Sequence, residues 1–397
     1  MPSAQTTSPD PAPTSRLDLG SAALVRDPYP ALADERDRLG VAWHEPSGTW
    51  LALSHAAAGA VLRERRLGRL WRDREPTAAL EPFNLLHRHQ MMEQEPPEHT
   101  RLRRAVAGAF NRGHVERLRP RVREVAAGLL DEVGASDGSS FDLLADYAEP
   151  LPVLVIAELV GLEAASVPDL RRWSQAIVRM YEPSPSPEVE AEAVRASTDF
   201  AALVREHVER RRRDPGDDLT SDLLAAGLTE LELVATVVLL LNAGHEASVN
   251  VFGNGAVGLL RSGRSLGEVA DHGPLVEEML RFDSALQLFE RTAKEDVEVA
   301  GVRLAAGDRI AALLGSANRD PAVFDRPDDF VPDRDPNPHL AFGAGVHFCL
   351  GAPLARMELV ESLGVLAGRM PGPALAGEPV SRGTFVLRGY AAVPVHG

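Results

Sequence analysis

The stretch from Thr229 to Leu260 constrains the fold more than any other part of the chain. It is the longest periodic segment, with Thr-Val-Val-Leu-Leu-Leu at its middle and Asn242-Ala-Gly-His-Glu-Ala-Ser-Val-Asn250 interrupting it. Thr229, with Glu232 three residues later, reads as a capping box at its start. A helix of this length spans about 45 Å at 1.5 Å per residue, so it has to cross a domain from side to side. Buried Gly244, Glu246, Ser248 and Asn250 weaken such a helix, the polar ones most unless they are hydrogen-bonded. Small residues there suit either a close helix–helix contact or a ligand lying against the helix.

At 397 residues and 44% hydrophobic the chain can bury a substantial core, in one large domain or several small ones. Net charge is −16, and the basic residues are nearly all arginine, Lys294 being the single lysine. Phosphate repels so acidic a protein unless its arginines cluster, and the longest basic run, Arg210 to Arg213, reads as the end of a solvated helix. Nucleic acid is therefore not an expected partner. Residues 1–20 are rich in Pro, Ser and Thr and read as a disordered tail, leaving 21–397 as the folded domain. No apolar run has the length of a secretory h-region or a membrane span, which points to a cytoplasmic protein without a membrane partner.

In chain order, Gly48 to Ser54 is a strand candidate, followed by an Ala-rich helix from His55 to about Arg65. From Leu67 to Gln94 the pattern breaks up. Arg72-Asp-Arg-Glu-Pro-Thr and Glu81-Pro-Phe-Asn have loop chemistry there, with Phe83, Leu85 and Leu86 as apolar anchors. Pro96-Pro-Glu-His-Thr-Arg-Leu-Arg-Arg104 opens a helix whose entry prolines and Glu98 suit an N-terminus. His99 and Arg103, four apart, share one face and together can hold a carboxylate. Helices are expected from about Gly113 to Val133, Leu143 to Leu159 and Val167 to Tyr181, after which Glu182-Pro-Ser-Pro-Ser-Pro187 makes a stiff, exposed link to a charged helix ending near Arg213. Glu278 and Arg281, three apart on a helix face, are able to pair. Ser284 to Ala293 becomes a strand, and the residues from Asp296 alternate and turn at Ala300-Gly301 and Ala306-Gly307 as hairpin-like strands.

Cys349 is the only cysteine, so neither a disulfide nor a multi-cysteine metal site can form within one chain. It lies in Phe342-Gly-Ala-Gly-Val-His-Phe-Cys-Leu-Gly351, ahead of a helical pattern. Gly343, Gly345 and Gly351 let a backbone turn tightly and approach a flat ligand. The positive end of the following helix should favour a thiolate, and a thiolate presented this way suits haem iron. A lone cysteine without such context is more often a small buried hydrophobe.

This loop resembles the haem-thiolate loop of the cytochromes P-450, and the resemblance runs from about Asp27 to the C-terminus. It implies that family's fold, mostly α with a small β region in a single domain, binding haem b between the long helix and the helix after Cys349. It implies Cys349 as the iron ligand, Phe342 beside the sulfur, and Gly345 and Gly351 shaping the loop, with His99, Arg103, Arg291 and His347 on the haem propionates. Glu278, Arg281 and Arg334 match a buried structural network. Ala243 and Gly244 would let haem and dioxygen lie close to the long helix while Glu246 feeds protons.

The family pattern Ala-Gly-x-Asp/Glu-Thr is broken at Ala247. Ser248 follows, rotated by about 100° on a helix, so its hydroxyl cannot simply replace the missing one; some macrolide-tailoring relatives share Ala-Ser here. By the same resemblance, the segment from Leu67 to Gln94 caps the substrate and the helices joined by the Pro-Ser linker act as a lid. Phe83, Leu85, Leu86, Leu286, Gln287, Leu288 and Phe289 would line the pocket, and Arg101 and Arg104 would be available to an acidic redox partner. The implied activity is a monomeric monooxygenase taking electrons from a ferredoxin to oxidise a small hydrophobic secondary metabolite. Hydroxylation is the first outcome, and Ala247 gives weight to oxidative coupling or dehydrogenation. Peroxide-driven relatives tend to carry an Arg after the Gly-rich break, which His245-Glu246-Ala247 lacks. A haem-based sensor would have little use for a lid and a mid-helix acid.

Overall fold

The computed structural model describes residues 13–134 and 140–397. The central helix, Glu230–Arg261, is 32 residues long, about 48 Å at 1.5 Å per residue. Both halves of its capping box form: Thr229 Oγ1 accepts from the Glu232 amide at 3.3 Å and Glu232 Oε2 from the Thr229 amide at 2.9 Å. Helical backbone continues through Asn242–Asn250, so the polar stretch does not break it. By length and composition this helix could cross a membrane, yet 78% of its apolar window is buried within the fold.

Helices Pro150–Val160, Val167–Val178, Pro187–Arg213, Glu81–His89 and His272–Phe282 pack around it. The long pattern after Leu143 divides in two, a six-residue π-helix Leu143–Ala148 and the helix Pro150–Val160. Pro150 falls in a first turn, where its missing N–H would have had no partner anyway. Helices Val167–Val178 and Pro187–Arg213 lie against each other and on the central helix, where the lid was expected. Their link is tethered as well as stiff, because the Glu182 carboxylate accepts from the amides of Phe385, Val386 and Leu387 at 3.0–3.4 Å.

A six-stranded sheet runs in the order Thr14–Ser15, Val41–His44, Thr49–Ala52, Arg309–Leu313, Leu288–Ala293, Leu67–Gly68. Trp43 sits opposite Trp50 with their rings edge to face at 5.7 Å, and Trp50 pairs in parallel with Ile310. The hairpin Val297–Val299/Val302–Leu304 turns through Ala300 and Gly301, both at positive φ (52° and 81°), the geometry that matches the twist of its strands.

Two expectations are corrected. The disordered tail was read as residues 1–20: residues 1–12 lie outside the described residues, but Thr14–Ser15 pairs with Trp43–His44 and Ser15 Oγ donates to Glu35 at 2.8 Å. Glu81-Pro-Phe-Asn is not a loop but the first turn of the helix Glu81–His89. Proline is well placed in a first turn, and the same residue type that suggested a loop starts this helix.

Candidate active site

The cysteine loop has a shape that only glycine permits at two positions. Gly343 and Gly345 have φ of 68° and 72°, and a Cβ on Gly345 would lie 2.3 Å from the Leu62 carbonyl oxygen. The Cys349 amide donates to the Phe342 carbonyl at 2.9 Å, closing the loop on itself. Phe342 lies under the Arg356 guanidinium, 4.5 Å from the ring centre, and Arg356 is fixed by Glu277 at 2.6 and 2.9 Å. Burial pushes the Cys349 thiol up, and this outweighs the amides of Gly351 and Ala352 and the charges of Arg103 and Arg356, which pull it down. The amides of Gly351 and Ala352 at the start of the following helix thus act in the direction expected of it, against the burial of the sulfur. Among the described residues no three His, Cys, Asp or Glu side chains gather to hold a metal.

Arginine and histidine side chains, buried or half-buried, collect beside this loop. Arg103 Nη2 donates to the Phe348 carbonyl at 2.7 Å, and the rings of His99 and His347 are 4.4 Å apart. Burial, with the charges of His347 and Arg103, drives His99 down to about 4. Arg291 is 4% exposed and its single hydrogen bond goes to the Glu290 carbonyl at 3.0 Å; among the described residues no carboxylate is in ion-pair reach of it. Burial, with the charge of Arg69, brings its guanidinium down to about 10. His347 is already engaged, its Nε2 facing Glu95 Oε1 at 2.8 Å, which leaves only Nδ1 for another acceptor. Sequence reasoning missed Glu95, whose same oxygen also accepts from the Arg69 amide at 2.8 Å.

On the central helix, Ala243 and Ala247 are exposed while Asn242, His245 and Glu246 are buried. Two alanines one turn apart, open in the middle of an otherwise buried helix, mark a face that borders a cavity. Gly244 does not belong to that face: it meets Ile156, where a Cβ would sit at an ordinary 3.6 Å. Glu246 is 2% exposed and its Oε2 accepts from Arg382 Nη1 at 2.6 Å, a partner 136 residues away. Ser248 faces elsewhere, lining a cavity of about 10 Å³ with Phe252 and Glu358. Burial alone pushes the Glu358 carboxyl up to about 8.

Glu278 and Arg281 form a fully buried bidentate pair, 2.8 Å at each contact, and Arg334 Nε adds a third at 3.0 Å. Arg281 also donates to the carbonyls of Asn318, Pro327 and Asp329, so the network pins the segment that leads into the cysteine loop.

Three further expectations are corrected. Gln287 is fully buried, with Nε2 donating to Ser284 O at 2.7 Å and Tyr29 Oη at 3.3 Å, and lines no pocket. It points away from half-buried Leu286 and Leu288 because its two neighbours in the extended chain face the other side. Phe83 is 0% exposed, stacked on His87 at 4.1 Å and tilted against Trp71 at 6.0 Å, so it borders no cavity. Leu86 is also buried, and Leu85 alone of the three is half-open. Arg101 is held by Glu98 at 2.9 Å and by Glu232, whereas Arg104 is exposed and has no ion pair among the described residues. A cleft of about 1280 Å³ between Asn254, Arg261, Arg319 and Arg388 includes none of these residues. Its arginines are paired internally, Arg388 with Asp283 at 2.7 Å and Arg319 with Asp328 at 3.0 Å.

Comparison with known proteins supports the loop and network together. A family model described as Cytochrome P450 matches residues 274–365, the segment holding Glu278, Arg281, Arg334 and Cys349. Cytochrome P450 monooxygenase PikC of Streptomyces venezuelae is 36% identical over 96% of this chain and 94% of its own length. The 6-deoxyerythronolide B hydroxylase of Saccharopolyspora erythraea is 35% identical over 96% of this chain and 99% of its own. The crystal structure of P450BioI in complex with hexadec-9Z-enoic acid ligated Acyl Carrier Protein superposes with a TM-score of 0.88 at 30% identity, covering 95% of this chain and 100% of that one. Likeness of this extent, carried by the same loop and the same buried network, shows that the chain belongs to the cytochrome P450 family and is a monooxygenase of that family with haem b as its cofactor.

Proposed function

We propose that Cys349 ligates the haem iron and that the enzyme hydroxylates a hydrophobic secondary metabolite with electrons from a ferredoxin. The observation that carries this reading is the group of arginine and histidine side chains beside the cysteine loop, above all the buried Arg291, which has no carboxylate in ion-pair reach among the described residues. A buried charge without a partner is costly, and a haem brings two propionates. Arg291, Arg103, His99 and the free Nδ1 of His347 are the groups that would hold them. Open Ala243 and Ala247 leave room for a flat macrocycle along the central helix. Haem supplies dioxygen activation at iron, with the thiolate donating electron density that favours O–O cleavage.

The protein's own contribution is positional. Glycine-shaped turns at Gly343 and Gly345 present Cys349, and the Glu278–Arg281–Arg334 network holds the chain before it. Glu246 places a carboxyl group beside the open face, one of its oxygens fixed by Arg382 and the other, Oε1, without a hydrogen-bond partner among the described residues. Leu85, Leu286, Leu288 and Phe289 offer half-open apolar surface to the substrate. The hydroxylase of 6-deoxyerythronolide B among its relatives suggests the substrate class, a large and mainly apolar natural product.

The reduced carbonyl complex tests the ligand assignment. Wild type should absorb near the wavelength typical of thiolate-ligated haem, and Cys349→His should lose that band while still holding haem; a Cys349→His protein that kept it would refute the assignment. Product formation with ferredoxin, reductase and NAD(P)H but not with peroxide alone is expected.

A further inference from the structure

We propose that His245 relays protons to Glu246 from the direction of Glu149, as the middle member of a buried chain Glu149–His245–Glu246. The proposal rests on the reading of Glu246 as a proton donor. His245 is 1% exposed. Its Nε2 lies 3.5 Å from Glu149 Oε1 and its Nδ1 lies 3.6 Å from Glu246 Oε1. Among the described residues neither ring nitrogen has a hydrogen-bond partner, and neither does Glu246 Oε1. The imidazole therefore stands between two carboxylates, one per nitrogen, at distances a few tenths of an ångström beyond a hydrogen bond. Buried polar atoms are nearly always satisfied, so three adjacent ones left open call for an explanation. Proton-transfer contacts of resting enzymes are commonly long and tighten during turnover.

Among the described residues, the other hydrogen-bond partners of the two carboxylates are groups that pass no proton on, which leaves His245 between them. Glu246 Oε2 accepts from Arg382 Nη1 at 2.6 Å, and Glu149 Oε2 accepts from Arg171 Nη2. A guanidinium stays protonated and cannot pass a proton on. Gln175 donates to Glu149 Oε1 and is equally inert. Tyr181, whose hydroxyl burial pushes far up, is the other titratable group near Glu246 and does not ionise at neutral pH. An imidazole alone can take a proton on one nitrogen and release one from the other.

Burial pushes Glu149 up, but the Arg171 guanidinium and the nearby His245 ring outweigh it and hold its carboxyl at about 2. Glu149 thus stays charged, orients the ring and draws a proton to Nε2. It begins at the more open end, since the Arg171 side chain is 28% exposed. In the step itself the neutral ring starts with its proton on Nδ1, passes it to Glu246 Oε1 as a proton from water arrives at Nε2, and is left as the Nε2–H tautomer facing Glu149; it regains the Nδ1–H tautomer before a second transfer, and no electrons move. Neither His245 nor Glu149 touches the reacting atoms, and both are positioning residues acting through Glu246.

The test uses holoenzyme without substrate. The first readout is ¹⁵N NMR of histidine rings in the diamagnetic ferrous carbonyl form, His245 being assigned by the signal missing in His245→Gln. Both Glu149→Gln and Glu246→Gln should move the chemical shifts of its ring nitrogens and change which of the two carries the proton. The second is reoxidation of dithionite-reduced protein by dioxygen, followed against pH in H₂O and D₂O. His245→Gln should slow it by roughly a hundredfold, the scale of one positioned proton donor, with a changed pH profile and solvent isotope effect. Glu149→Gln, which keeps the ring, should fall between. A His245 ring indifferent to both carboxylate substitutions overturns the relay. A His245→Gln rate and isotope effect equal to wild type, with Glu246→Gln still slow, overturns the relay and leaves Glu246 standing. Wild-type behaviour in Glu246→Gln overturns both.

Discussion

Replacing Glu358 by Gln should make the protein more stable at neutral pH, and the gain should vanish in acid. Glu358 lies in the helix Ala352–Arg369, is 4% exposed, and has no hydrogen bond or ion pair among the described residues. The cavity it shares with Ser248, about 10 Å³, is at the lower limit for a single water. Burial pushes its carboxyl from 4.5 up to about 8. In the folded state the group therefore keeps its proton where the unfolded chain has lost it, and stability falls as pH rises from about 4.5 to about 8. The gap corresponds to roughly 5 kcal/mol at most, and to about 3 kcal/mol by pH 7. A glutamine side chain has nearly the same shape as a protonated glutamate and no acidic proton to lose. Denaturant or thermal midpoints of Glu358→Gln and wild type should agree near pH 4.5 and separate progressively up to pH 8, the variant being the more stable. Because a bound cofactor undermines two-state treatment, the difference in midpoint is the quantity to follow. Curves that stay parallel from pH 4.5 to 8 would show that Glu358 is ionised in the folded protein and would refute the reasoning.

Glu278→Gln removes the charge that two buried guanidiniums share and should cost about 3–5 kcal/mol, the range for breaking a buried pair; an unchanged melting temperature would count against the network's structural role. Arg291→Leu should leave the haem-free protein as stable as wild type, since no internal carboxylate loses a partner. Haem transfer from Arg291→Leu to a competing apoprotein should be faster by about tenfold or more, for a charge-assisted bond of about 1.5–3 kcal/mol; equal transfer rates would remove Arg291 from the propionate set. Gly345→Ala should fail to incorporate haem, because the Leu62 carbonyl occupies the place of its Cβ; a normal carbonyl spectrum would contradict that.

What could be read from the sequence was local. The capping box of Thr229 and Glu232, the turn at Ala300-Gly301 and the Glu278–Arg281 pair depend on residues a few positions apart, and each forms as its spacing implies. The cysteine loop was legible for another reason, since its glycines are required by the backbone itself. What escaped notice depends on chain distance. Arg382 reaches Glu246 across 136 residues and Glu95 reaches His347 across 252. Arg101 lost its supposed freedom to Glu232, 131 residues on. Gln287 is a different kind of miss: alternation along an extended segment already placed it opposite Leu286 and Leu288, so one side chain had to face away from any pocket they line. Pro82 was misread because proline marks both loops and first turns, and only the apolar spacing of Phe83 and Leu86 after it distinguishes the two.

The remaining prediction concerns Ala247, where the family's hydroxyl is missing. The methyl group of Ala247 lies on the open face of the central helix with Ala243, whereas the Ser248 hydroxyl borders the small Glu358 cavity. A serine on that side cannot reach the same space, and on this prediction substrate and water are what complete the open face. Ala247→Thr adds bulk and a hydroxyl where substrate or water would sit. It should bind a substrate found by spectral-shift screening more weakly and yield less product per NAD(P)H consumed. A substrate analogue lacking the hydroxyl nearest the haem should couple poorly in wild type and be partly rescued by Ala247→Thr, because the added hydroxyl then replaces the one removed. Ser248→Ala should leave coupling unchanged with either compound. Higher coupling in Ala247→Thr with the full substrate would show that the wild-type arrangement is merely deficient. Loss of coupling in Ser248→Ala would instead place the proton route through the Glu358 cavity, on the side of the helix away from the open face.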